Sequence, residues 1–162
     1  MIKLIEDNDV LEAINLMAKS TKDKTFFGYE ENQAIWIEFF LGLVKRQKEN
    51  DPHVLVVGDW DNKNLRGFLS ASTFSNYYNN SWVMDVKDCI VDHDYNNVFV
   101  VYRLFDYMIE HVKKHDGKHW RADSVRSGDE GTNYAKFLNR RYNTETHVSV
   151  RGVIQENKDE II

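Results

Sequence analysis

The sequence predicts an α/β (α+β) domain: a single mixed, mostly antiparallel sheet of about six strands with helices on both faces. Three observations carry that prediction. Residues 81–91 are apolar and β-branched enough for a buried strand, and after the polar cluster 92–97 a helical apolar stripe runs over 98–115. Residues 53–59 and 65–71 flank the turn signal Asp61-Asn62-Lys63-Asn64 and read as an antiparallel hairpin. A helix joins the strand at 81–91 to one at 118–125, which favours parallel pairing of those two.

The remaining elements follow in order. Residues 2–5 form a short strand, and Asp7-Asn8-Asp9 supplies the side-chain oxygens that cap a helix. Val10, Leu11, Ile14, Leu16, Met17 and Ala18 recur at roughly helical spacing up to Ser20. A loop over 21–28 carries Phe26 and Phe27, and a second helix is expected over 31–49. Its stripe is Ile35, Trp36, Phe39, Phe40, Leu43 and Val44, while Ile37 and Leu41 widen the apolar arc beyond one face. Pro52 ends that unit, because the residue before a proline avoids the helical region. The long third helix is expected to bury Val98, Val101, Leu104, Phe105, Met108 and Val112, with Gly117 as its C′ residue. A short helix over 133–142 and a final strand over 146–154 complete the domain, taken as 1–154, and 155–162 is a polar tail.

Composition narrows the function classes. The 162 residues suit one domain with a real core. A net charge of −5, from 21 basic and 26 acidic side chains, argues against a broad nucleic-acid footprint. Cys89 is the sole cysteine, which excludes an internal disulfide and a multi-cysteine metal site. No run approaches the ~18 apolar residues of a membrane span. Residues 1–7 carry acids where a signal peptide would have its apolar core, so a cytoplasmic protein is expected.

A helix that begins directly after a strand aims unpaired N–H groups and the positive end of its dipole at that junction, a ready place for phosphate. Here the first turn is Val98, Phe99, Val100 and Val101, without the glycine such turns normally use. His111, His115 and His119 are spaced by four, but His119 lies beyond Gly117 and off the helix, so no metal site is predicted. Cys89 reads as a small core residue rather than a nucleophile, and His93 as a solvated turn residue.

The element order β-α-α-β-β-β-α-β-α-β resembles that of the GNAT superfamily of acetyl-coenzyme A-dependent N-acetyltransferases. The family often shows a pattern like Val-x-Pro-x-Tyr-Arg-x-x-Gly-x-Gly-x-x-Leu-Leu at the strand–helix junction. In this chain Val91, Tyr95, Leu104 and Phe105 fall in place, Asn96 stands where Gln or Arg would be, and Phe99 and Val101 replace the glycines. The resemblance implies acetyl-CoA as co-substrate, its pantetheine arm on the backbone of Cys89, Ile90 and Val91. It implies the pyrophosphate at Asn96 and the N–H groups of Asn97, Val98, Phe99, Val100 and Val101, where the side chains of Phe99 and Val101 would crowd it. It also implies a catalytic carboxylate at Asp85, six residues before Val91. Strand alternation would place Asp85 on one face with Val83, Lys87, Cys89 and Val91, and a plainer reading makes Asp85, Lys87 and Asp88 local ion pairs.

A second stretch, Asn133-Tyr134-Ala135-Lys136-Phe137-Leu138, is similar to the family pattern Asn-x-x-Ala-x-x-Phe-Tyr. Asn133 then belongs to the cofactor site. Leu138 occupies the position of the tyrosine that protonates the leaving thiolate, so Tyr134 or Tyr142 would have to supply that proton. Phe26, Phe27 and Tyr29 would flank the groove of a small-molecule or peptide amine acceptor, or staple their loop to the core. The wide apolar arc of the second helix fits either deep burial or a homodimer surface. Two readings result: an N-acetyltransferase moving acetyl from acetyl-CoA to a primary amine, or a catalytically inactive GNAT-like fold serving as a binding or assembly module.

Overall fold

Among the described residues five strands form one sheet in the order β1-β2-β3-β4-β5, in which the sheet order equals the chain order. They are β1 (Ile2–Leu4), β2 (Val54–Asp61), β3 (Asn64–Ser75), β4 (Trp82–Val91) and β5 (His119–Ala122). The helices are α1 (Val10–Thr21, entered through a 3-10 turn at Asp7–Asp9), α2 (Gln33–Lys48), α3 (Asn97–Lys114) and α4 (Asp129–Arg141). The structure, a computed structural model, describes residues 1–21, 33–75, 81–95, 97–122 and 129–145. They fall into two units, Met1–Asp123 and Ser124–Ile162, each described by itself. The expected strand at 146–154, the loop with Phe26, Phe27 and Tyr29, and the polar tail lie outside the described residues.

The first four strands pair antiparallel, and β5 pairs parallel to β4 with Val83 opposite His119 and Asp85 opposite Arg121. The expected hairpin is present as β2–β3, and Asn62 in its turn adopts the left-handed conformation (φ 54°) that asparagine tolerates. The helix between β4 and β5 is the crossover that parallel pairing requires.

Each face of the sheet buries its own apolar layer. On one, Ile5, Val54, Val56, Trp60, Leu65 and Phe68 join Val10, Ile14 and Met17 of α1 and Phe40, Leu43 and Val44 of α2 in one cluster. The rings of Phe40 and Phe68 meet edge to face at 5.4 Å. The alternate strand residues, Leu55, Val57, Leu69, Met84 and Val86, are buried on the other face, the side of α3, whose stripe is Val100, Leu104, Phe105, Met108 and Val112. A buried carboxylate ties α3 to the sheet. Asp59 accepts hydrogen bonds from Arg66 (2.8 Å) and from Arg103 Nε of α3 (2.9 Å). Burial alone would push the pKa of Asp59 up, but the two guanidinium groups outweigh it and hold the carboxyl below its ordinary range.

Several sequence expectations change here. In α3 the buried residue of the first turn is Val100, while Val98 is 43% exposed and Val101 half-buried. The stripe therefore runs 100, 104, 108, 112 at strict i+4 spacing, a phase that two consecutive valines, Val100 and Val101, leave open. In α2 only Phe40, Leu43 and Val44 are buried; Ile35 and Phe39, expected inside, are 60% and 45% exposed. In α1, Leu11 faces solvent and Ala13 takes the buried place.

The helix ends also differ from expectation. α2 is closed by Asn50 (φ 60°), with Asp51 N–H donating to Arg46 O, two residues ahead of Pro52. At the end of α3 the left-handed residue is Asp116 (φ 59°), not Gly117. Gly117 N–H bonds to Val112 O and Asp116 N–H to Lys113 O, so Gly117 is the C″ residue of a Schellman motif. Its lack of a side chain serves close packing: a Cβ there would strike the Trp82 ring and stand 2.7 Å from Val112.

Candidate active site

The local event that builds the site is a bulge in β4. Ser70 pairs with Asp88 and Ala71 with Val86, so Lys87 is an extra residue without an opposite number on β3. One inserted residue reverses the alternation beyond it. Asp88 and Ile90 therefore share the α1/α2 face with Val83 and Asp85, while Cys89 and Val91 turn to the face of α3. Ile90 packs against the α1/α2 core cluster, and a Cβ on Gly67 would meet both Val91 and Val100, which confirms the two sides independently. The expectation that Asp85 shares a face with Cys89 and Val91 is thus overturned, because simple alternation assumes an unbroken ladder.

Two carboxylates now stand on one face in different electrostatic settings. Asp85 is buried, accepts Arg121 Nε at 2.9 Å and is ion-paired with Lys87. Burial would raise its pKa, but the hydrogen bonds from Arg121 and Lys87 prevail and hold it below the ordinary range. Arg121 is braced in turn over the ring of Phe74, 4.6 Å from its centre. Among the described residues Asp88 has no such cation in contact; its Oδ2 accepts the Ser70 hydroxyl at 2.6 Å. Burial raises its pKa, only partly opposed by that hydrogen bond and the charge of Lys87. Cys89 is pushed up to about 12 by burial and the adjacent Asp88 charge, so it stays a thiol. Sequence reasoning placed Asp88 only in a local ion-pair reading, because residues three apart in a regular strand lie on opposite faces, and it missed Ser70 and Arg121, which are cross-strand neighbours.

β4 also outruns its partner. The β4–β5 ladder ends at Val86 and Ala122, whereas β4 continues to Val91. Among the described residues the β5-side backbone edge of 87–91 has no strand on it. The edge includes Cys89, Ile90 and Val91, the residues expected to hold a pantetheine arm.

The β4–α3 junction is organised by Asp92. Its N–H donates to Arg66 O, its Oδ1 accepts Asp94 N–H at 3.1 Å, and its carbonyl accepts Tyr95 N–H at 3.2 Å. Lys19 of α1 reaches across to Asp92 (2.9 Å) and Asp94 (3.0 Å), and the hydrogen bond to Lys19 holds Asp92 below its usual pKa. With Glu12, Asn15, Leu65 and Tyr95, Lys19 and Asp92 line an open cleft of about 290 Å³. Amides 92, 94 and 95 are thus spent inside the turn, which leads directly into the first turn of α3. The side chain of Val100 is turned into the core, and those of Val98 and Phe99 (61% exposed) stand in solvent beside that turn. This edge of β4 and the start of α3 are the backbone surfaces that an extended amide arm and a diphosphate would need, with Lys19 paired to the two acids nearby.

The other predicted site residues divide. Asn96 and the side chains of Asn97, Asn133 and Tyr134 lie outside the described residues. Leu138 is buried, and Tyr142 follows α4 within the second unit, its N–H on Leu138 O and its ring 5.9 Å from the Arg141 guanidinium carbon. Among the described residues no three His, Cys, Asp or Glu side chains gather as a metal site, and no helix is long and apolar enough to cross a membrane.

No protein-family model and no curated protein sequence matches the chain. Solved structures do. An aminoglycoside antibiotic 6'-N-acetyltransferase from Acinetobacter haemolyticus superposes with a TM-score of 0.71 at 15% identity, over 97% of this chain and 99% of that one. A ribosomal-protein-alanine N-acetyltransferase from Brucella melitensis biovar Abortus gives 0.66 at 15% identity, over 96% and 99%. A transcriptional regulator from Bacillus halodurans gives 0.69 at 12% identity, over 95% and 99%. Identities this low speak for the shared backbone arrangement alone, and the chain accordingly has the GNAT acetyltransferase fold.

Proposed function

We propose that this domain is an N-acetyltransferase that moves an acetyl group from acetyl-CoA to a primary amine. The observation that carries the reading is the β4 bulge, which puts Asp85 and Asp88 on one face beside the stretch of β4 that runs past β5. The structural neighbours with acetyltransferase titles support it. Backbone groups of Cys89, Ile90 and Val91 would hold the pantetheine arm, and the N–H groups of Asn97 to Val101 the pyrophosphate. The coenzyme, when bound, supplies the activated acetyl thioester.

The protein's own work is to receive the amine and handle two protons. An ammonium acceptor must lose a proton before its nitrogen can attack, and a carboxylate with a raised pKa is the better base. Asp88 meets that condition, directly or through a water, while the pKa of Asp85, the base expected from strand position, is held below the ordinary range by Arg121 and Lys87. Asp85 then fixes Arg121 and Lys87 at the rim of the site. The thiolate released then takes up a proton, the role that the family resemblance gives to Tyr134 or Tyr142.

Titration calorimetry and thermal shift with acetyl-CoA, followed by an acetyl-transfer assay over a panel of amines, test the proposal. Binding with a raised melting temperature and turnover of at least one amine class is expected. Absence of binding at millimolar coenzyme would sink it and leave the inactive assembly module, a reading that the similarity to a transcriptional regulator keeps in view.

A further inference from the structure

The outer face of α2 has the wrong polarity for a solvent-facing helix. Ile35, Phe39 and Gly42 follow one another at i, i+4 and i+7; Ile35 and Gly42 lie across the helix from the buried Phe40 and Val44, and Phe39 borders that outer side next to Leu43. Ile37 and Leu41, at 37% and 44% exposure, border the buried stripe on its other side and are not part of this face. Gly42 sits mid-helix, where a glycine costs helix stability, yet a Cβ there would meet nothing within 4 Å. Packing inside this chain therefore does not require the missing side chain. A second surface approaching the helix closely would.

Charge along the same face says which surface that is. Glu38 lies four residues before Gly42, while Lys45 and Arg46 lie three and four after it, all exposed. The helix thus carries an acid on the N-terminal side of the glycine and two bases on the C-terminal side. We infer that the outer face of α2 is an isologous homodimer interface, in which two copies of α2 pack antiparallel about a twofold axis at Gly42. In that arrangement Glu38 of one copy faces Lys45 of the other, and the Phe39 ring faces the partner's Arg46. Both contacts occur twice by symmetry, and the antiparallel helix dipoles add to them. A parallel pair would instead stack the bases on each other. Arg46 keeps its own Asp51, 2.9 Å from Nε, which fixes the guanidinium in place.

Sedimentation velocity over about 1 μM to about 1 mM protein tests the inference. The wild-type chain is expected to dimerise within that range. Phe39→Asp is expected to give a monomer with unchanged far-UV dichroism. Glu38→Lys and Lys45→Glu should each raise the dissociation constant roughly fivefold or more, since symmetry breaks each pair twice. Combining Glu38→Lys with Lys45→Glu should restore wild-type association. Gly42→Cys, which the open space accommodates, should form a 42–42 disulfide on mild oxidation while Cys89 stays reduced. A wild-type monomer at every concentration would overturn the inference and assign the face to another protein. A Phe39→Asp dimer, or charge reversal without mutual rescue, would overturn it equally.

Discussion

The assignment of the proton acceptor to Asp88 is open to a two-variant test. Asp88→Asn keeps the shape and can still accept the Ser70 hydroxyl through Oδ1, but it cannot take a proton. Loss of a general base typically costs about 10²–10⁴ in rate, or roughly 3–5 kcal/mol of transition-state stabilisation at 1.36 kcal/mol per decade. Stability should move the other way. An acid whose pKa is raised on folding costs nothing below its unfolded value, near 3.9, where it is protonated in both states. The cost grows as pH rises toward the folded pKa and is full above it. Asp88→Asn is therefore expected to melt higher than wild type at pH 7–8 and equally at the lowest pH reached. The acid limb of the wild-type kcat/KM profile should lie above the range of an ordinary aspartate and vanish in the variant. Asp85→Asn, which strands Arg121 and Lys87, should lose stability while keeping that limb. If Asp88→Asn retains both the limb and the rate while Asp85→Asn removes them, the reasoning from the bulge is wrong.

Three other perturbations have definite expected outcomes. Asp59→Asn leaves Arg66 and Arg103 without their carboxylate and should cost about 3 kcal/mol in urea unfolding, toward the low end for a buried pair because Arg103 is partly exposed. Since the pKa of Asp59 is lowered on folding, its contribution is present above the unfolded pKa and lost as pH falls through the folded one, so wild type and variant should converge in strong acid. Gly117→Ala drives a methyl into the Trp82 ring and should cost about 1–3 kcal/mol, read from the urea midpoint and from a shifted tryptophan emission. Lys19→Ala uncovers Asp92 and Asp94 beside the start of α3, and calorimetry should show acetyl-CoA binding weakened roughly fivefold at low salt and less at high salt.

Much of the architecture was legible from local chemistry. The β2–β3 hairpin, the long α3 and the parallel β4–β5 pair all rest on short-range signals: a turn cluster, a 3.6-residue period, and the rule that a helix between strands makes a crossover. Less was legible wherever a residue's meaning depends on a distant partner. Ile35 and Phe39 look like core on a helical wheel, and only their position away from the sheet shows them exposed. Gly117 looks like the left-handed residue by type, yet Asp116 takes that conformation and the indole of Trp82, thirty-five positions earlier, explains the glycine.

By itself the sequence determined the layered sheet-and-helix plan and the strand–turn–helix at 81–115, because periodicity and turn chemistry act within a few residues. It also excluded a disulfide framework, since one cysteine cannot form one. The tertiary structure alone decided which carboxylates share a face. A single unpaired residue, Lys87, is invisible in the alternation of side chains and appears only when β3 is laid against β4. From that register follows the pairing of Asp88 with Ser70; the β4–β5 register pairs Asp85 with Arg121, and the two settings shift the carboxyl pKa values in opposite directions. The chemistry of this site is set by strand register, which a linear sequence leaves open because ladder pairing is a contact between residues far apart in the chain.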